Sequence, residues 1–158
     1  MYNDGMSPEE EAGGDPGGKT ILIVDDDEDI LGFLGVLVKG AGFKTLTASN
    51  GEKAIEQLAL NPDAVILDLN MPGCGGLGVL SYLRAGGMDP VPPVIVITAF
   101  QERHPDVQKA VMDPNVAQCL RKPLDNDFLV GALHRYTKTT PKPSAGGSGT
   151  ASGDAKPA

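Results

Sequence analysis

Asp68 closes the short apolar run 64–67, and Pro72-Gly73 marks a sharp turn just after it. Asp25 and Asp26 stand in the same relation to the run 21–24, Thr98 to 94–97 and Lys122 to 117–120. Short runs of this kind read as buried strands, and in an open α/β sheet ligands bind at the carboxyl ends of the strands. Acids delivered there are placed for chemistry rather than for solubility. Where such tips converge, the crowded carboxylates repel, and a shared proton or a bound cation relieves them. An all-oxygen donor set with few ligands suits magnesium, which keeps water ligands and bridges to a phosphate. A carboxylate such as Asp68 is then a candidate nucleophile, able to form an aspartyl phosphate. Phosphoryl transfer mainly needs positioning and neutralisation of charge on the equatorial oxygens. A magnesium ion, the Lys122 ammonium and the Thr98 hydroxyl are the right kinds of group.

The elements that must hold these groups are legible as periodicity. The run 21–24 predicts the first strand; Ile30, Leu31, Phe33, Leu34, Leu37 and Val38 then form one helix face, with Asp27 as N-cap and Gly40 and Gly42 as stops. Residues 44–48 alternate polar with apolar, as a strand near the sheet edge does. Asn50-Gly51 turns the chain, and Ala54, Ile55, Leu58 and Ala59 make a second helix face ended by Asn61-Pro62. After the strand 64–67, Leu77, Leu80, Tyr82 and Leu83 repeat at helical spacing as far as Gly86-Gly87. The most β-branched run, 94–97, predicts another buried strand, 105–112 a short helix and 117–120 a brief strand. Leu124, Phe128, Leu129, Ala132, Leu133 and Tyr136 give the last helix stripe, with Asp125 near its start. This alternation predicts an α/β fold, a five-stranded parallel sheet with helices on both faces. In a doubly wound sheet the first and third strands are neighbours, so Asp25, Asp26 and Asp68 are expected to converge.

At 158 residues the chain is expected to hold one folded domain, over 19–137. The tails 1–18 and 138–158 are rich in Gly, Pro, Ser and charge and poor in large apolar residues, so both are expected to be disordered. After Tyr136 the sequence is poor in large apolar residues, so no output domain is expected to follow. A net charge of −8 without a basic patch argues against a nucleic-acid surface. No apolar run approaches a membrane span, and the acidic N-terminus is unlike a signal peptide, so a cytoplasmic location is expected. Cys74 and Cys119 fit no metal-ligand spacing and read as reduced thiols.

Taken singly, each of these features has an ordinary explanation. The acids 25–29 read as a solvated helix-capping run, Lys122 as a surface lysine, Thr98 as a strand residue and Asp68 as a loop acid. Their joint placement at separate strand tips is what carries the argument. That set, Ile-Val-Asp-Asp-Asp at 23–27, Ile-Leu-Asp-Leu-Asn-Met-Pro-Gly at 66–73, Ile-Thr-Ala at 97–99 and Lys-Pro at 122–123, resembles the receiver domain of two-component response regulators. The resemblance implies a flavodoxin-like sheet of strand order 2-1-3-4-5. It also implies that Asp68 is the phosphoacceptor and that magnesium is held by Asp25, Asp26, Asp68 and the backbone carbonyl of Asn70. Thr98 is then the switch hydroxyl and Lys122 its charged companion. The implied phosphodonor is a phosphohistidine of a histidine kinase or histidine phosphotransfer protein. The downstream partner is a protein bound through the face formed by the helix 105–112, the strand 117–120 and the last helix.

Receivers often carry an aromatic residue three positions before the lysine, where this chain has Cys119. Output is therefore expected to run through movement of the helix 105–112. The stretch from Thr98 to Lys122 looks about two residues longer than the family pattern, with the extra length expected at Asp113-Pro114-Asn115. Phe100 is expected to shield the phosphoryl group from water, and His104 and His134 to be ordinary solvated side chains. The chain is not expected to be an enzyme beyond assisting its own phosphorylation and dephosphorylation. The competing readings are a pseudo-receiver that only docks and an aspartate-nucleophile phosphatase. In the latter the second acid two residues on would stand where Asn70 is.

Overall fold

The computed structural model describes residues 14–86 and 88–141. Its sheet contains β1 (Thr20–Val24), β2 (Lys44–Ala48), β3 (Ala64–Asp68), β4 (Val94–Thr98) and β5 (Val116–Arg121), all parallel, in the order β2-β1-β3-β4-β5. Between and after them run α1 (Glu28–Gly40), α2 (Gly51–Leu58), α3 (Gly75–Arg84), α4 (Pro105–Met112) and α5 (Asn126–Thr137). This is the expected 2-1-3-4-5 sheet with helices on both faces.

Side-chain alternation divides the core in two. Ile21, Ile23, Ala64, Ile66, Ile95 and Ile97 meet Leu34 and Val38 of α1 and Leu129 and Leu133 of α5. Leu22, Val24, Val65, Leu67, Val94 and Val96 meet Ala54 and Leu58 of α2, Val79 and Leu83 of α3, and Val107 and Ala110 of α4. Because β1, β3 and β4 are covered on both faces, their sequences are continuous apolar runs. β2, at one edge, is only partly covered, in line with its mixed composition. The helix starts follow local chemistry: Asp27 accepts from the N–H groups of Asp29 and Ile30, Asn50 from Lys53, and Asp125 from Phe128.

Three details differ from expectation. Ordered backbone continues past 19 and 137 at both ends. Gly14 donates its N–H to the Lys138 carbonyl, Thr140 donates back to Gly14, and Pro16 is buried. The remainder of the predicted disordered tails, 1–13 and 142–158, lies outside the described residues. Next, His134 is not a solvated side chain but is buried, with Nδ1 2.8 Å from Thr139 Oγ1 and its ring against Phe43. The turn after α5, with Lys138 in the left-handed region, folds Thr139 back over it. Finally, the stretch before Lys122, where extra length was expected in the loop at 113–115, carries an irregularity inside β5. Val94 pairs with Val116 but Ile95 with Gln118, leaving Ala117 as a bulge. The predicted turn at Asp113 is built rather than loose: its buried carboxylate pairs with Arg84 and accepts from the Asn115 N–H. Among the described residues, no helix is long and apolar enough to cross a membrane.

Candidate functional site

Register alone places the acids side by side. Val24 pairs with Leu67 across β1 and β3, so the next residues, Asp25 and Asp68, emerge level at the carboxyl edge. Alternation from Ile21 and Ile23, and from Ala64 and Ile66, sends both toward the α1/α5 side of the sheet. Asp26, one residue on, is exposed above them. One carboxylate oxygen from each of Asp25, Asp26 and Asp68 lies within 4.8 Å of the others. Lys122 arrives from the end of β5, its Nζ 3.3 Å from Asp25 Oδ2 and 3.7 Å from Asp68 Oδ2. The cleft over these groups is completed by Asp27, Ile30, Asn70, Met71, Pro72 and Ala99.

Asp25 is fully buried and Asp68 is 2% exposed. Burial, and then repulsion from Asp25, push the Asp68 carboxyl up from 3.8 to about 6, against the opposing pull of the Asn70 N–H and the Lys122 ammonium. The Asn70 N–H donates to Asp68 Oδ1 at 3.1 Å, and the Asp27 N–H to Asp25 Oδ1 at 2.9 Å, which holds both carboxylates in fixed orientations. The three converging acids, Asp25, Asp26 and Asp68, outnumber the single lysine beside them and offer only hard oxygen donors. Such a set fits a small divalent cation and not a thiolate- or imidazole-seeking metal.

Gly76, at the start of α3, lets the helix lie directly behind this edge. A Cβ there would come 2.6 Å from the Asp68 carbonyl oxygen and 2.8 Å from Leu69 Cα. Only a residue without a side chain permits that approach.

Thr98 sits apart from the acids. Following Val94 and Val96, it lies on the α4 side of the sheet, fully buried, and its Oγ1 accepts from the Phe100 N–H at 2.9 Å. It borders a cavity of about 390 Å³ under α4, together with Val107, Val111, Cys119 and Arg121. Cys119 is half-buried on that side, and burial pushes its thiol up. Ala99, not Phe100, walls the acid cleft. The Phe100 ring instead stacks flat on His104, centroids 3.8 Å apart and planes 2° apart. His104 is the residue that sequence reasoning passed over: its Nδ1 accepts from the Asp106 N–H and caps α4. The i, i+4 spacing of Phe100 and His104, with Pro105 opening a helix, is the signal that points to it.

A family model for the response regulator receiver domain matches residues 21–134. The chain is 32% identical over 110 residues to a cyclic di-GMP phosphodiesterase of Thermotoga maritima, a match covering 70% of this chain and 28% of that protein. It is 35% identical over 118 residues to the DNA-binding transcriptional regulator NtrC of Escherichia coli K12, covering 73% of this chain and 24% of that protein. The chain thus spans about a quarter of the length of these relatives. The signal receiver domain of a response regulator from Bermanella marisrubri superposes with a TM-score of 0.67 at 30% identity, over 74% of this chain and 96% of that one. With the family match running from β1 into α5, the chain belongs to the response regulator receiver domain family.

Proposed function

We propose that this receiver takes a phosphoryl group from a phosphohistidine onto Asp68. The observation that supports this best is the meeting of Asp68 with Asp25, Asp26 and Lys122 at the ends of three strands. An Asp68 carboxylate oxygen attacks phosphorus, the new O–P bond forms as the P–N bond breaks, and the bonding pair leaves on the donor imidazole nitrogen. Asp68 is held for this by the Asn70 N–H, and Lys122 faces the oxygen that receives the group. Asp25, Asp26, Asp68 and the Asn70 backbone carbonyl would hold a magnesium ion. Bound there, it offsets the negative charge gathering between the acids and the equatorial phosphoryl oxygens. Thr98 turns its hydroxyl toward the phosphoryl oxygen afterwards, and Lys122 pairs with the new charge.

The donor is a histidine kinase or histidine phosphotransfer protein, and the output is a changed α4-β5-α5 surface offered to a protein partner. The chain assists its own phosphorylation and dephosphorylation without turning over a separate substrate. The test is incubation with acetyl phosphate and magnesium, read by intact mass. A single phosphoryl added to the wild type and absent from Asp68→Asn is the expected result. No adduct, or one that survives the substitution, removes the proposal.

A further inference from the structure

We propose that the stacked rings of Phe100 and His104 are the link by which the Thr98 hydroxyl moves the start of α4. The inference rests on the reading of Asp68 as the phosphoacceptor and adds the route by which that event leaves the site. A continuous chain of contacts carries it. Thr98 Oγ1 accepts from the Phe100 N–H at 2.9 Å, the Phe100 ring lies on His104, and His104 Nδ1 accepts from the Asp106 N–H at 3.1 Å in the first turn of α4. The His104 N–H donates to the Gln101 carbonyl, and the Gln108 side chain donates to the Glu102 carbonyl, so the segment from Thr98 into α4 is tied at each step.

The other route out of the site is broken. On the β5 side, Thr98 and the small Cys119 line a solvent-open pocket of about 390 Å³ together with Val107 and Val111. A turn of the Thr98 hydroxyl therefore meets no large side chain at position 119 to push, while the Thr98 backbone stays tied to β5 through its pairing with Arg121 and the Lys122 N–H. When the Thr98 hydroxyl turns toward a phosphoryl oxygen, the Phe100 N–H loses its acceptor. The backbone at residue 100 then settles elsewhere and takes its ring with it. His104 is held to that ring on one side and to the helix N-terminus on the other, so the cap of α4 is disturbed.

Phe100 and His104 are positioning residues here, and neither touches the acids. The experiment uses the full chain with magnesium and beryllofluoride as the phosphoryl mimic. Fluorine NMR reads occupancy of Asp68, and hydrogen exchange reads the amides of α4 with and without the mimic. In the wild type the α4 amides should change about fivefold or more on occupancy, the low end of ordinary coupling between sites. Phe100→Leu, which keeps bulk but cannot stack, and His104→Asn, which keeps a capping oxygen but loses the ring, should still bind the mimic. Their α4 amides should change by less than about twofold. Cys119→Ala should leave the wild-type response in place. If either variant binds the mimic and α4 responds as in the wild type, the link is wrong. If the wild type shows no bound fluoride, the phosphoacceptor reading itself fails and takes the link with it. Should Phe100→Leu not fold, His104→Asn decides alone.

Discussion

The two sides of the sheet end very differently at their carboxyl edge. On the α1/α5 side, Asp25 and Asp68 are buried, oriented by backbone N–H groups and faced by Lys122. On the α4 side, the Thr98 hydroxyl is bonded to the Phe100 N–H, and Thr98 shares the lining of a pocket with Cys119. The first region is crowded with charge that the fold holds in place against repulsion. The second borders a solvent-open pocket, which leaves room for more than one arrangement. Under the proposed function, this contrast would let one sheet keep its chemistry rigid while leaving its output loose.

Substitutions at each end can break or sharpen that contrast. The largest effect is expected at Asp68. Its carboxyl titrates at about 6 in the folded chain against 3.8 for a free acid, because burial and Asp25 penalise the charged form. The folded state therefore holds this proton more tightly than the unfolded state does. Without metal, stability through this group is greatest below about pH 4 and falls as pH rises through 6, by about 3 kcal/mol in all. Asp68→Asn should abolish the fall and raise the denaturant midpoint at neutral pH in EDTA. Equal midpoints would show that the acid cleft holds no such strain.

Lys122→Met comes next. It removes the cation facing both buried carboxylates and should slow phosphoryl uptake from acetyl phosphate about a hundredfold, some 2.7 kcal/mol of barrier. A rate within a few-fold of wild type would mean that the ammonium only screens the resting acids. Gly76→Ala forces a methyl against the Asp68 carbonyl and should cost about 2 kcal/mol in chemical unfolding. An unchanged midpoint would show that this edge yields more readily than its packing implies. The smallest change belongs to the loose side. Cys119→Leu adds apolar volume beside the cavity and should gain about 0.5 kcal/mol while phosphoryl uptake stays near wild type. A loss of stability there would contradict the picture of unfilled space.

Much of the rigid side was legible in the sequence, because it depends on local signals. Apolar runs marked the strands to within a residue or so, Asp27 and Asp125 announced their helices, and the acids stood where the runs stopped. The loose side depends on contacts between distant or differently oriented groups, which leave weaker traces. That Thr98 faces away from Asp68 follows from strand parity, but only after the register is known. His134 looked like a surface position on its helix. It is covered because the chain reverses at Lys138 and Gly14 pairs alongside, an arrangement with no apolar pattern to announce it. The bulge at Ala117 and the Phe100–His104 stack were hidden for the same reason.

The central claim is that one acid, Asp68, carries the phosphoryl group. Borohydride reduction after treatment with acetyl phosphate and magnesium converts an acyl phosphate to the corresponding alcohol, and peptide mass mapping then locates it. The prediction is reduction to homoserine at position 68 alone, dependent on magnesium. Reduction at Asp25, Asp26 or any other acid, or none at all in phosphorylated protein, would contradict the account.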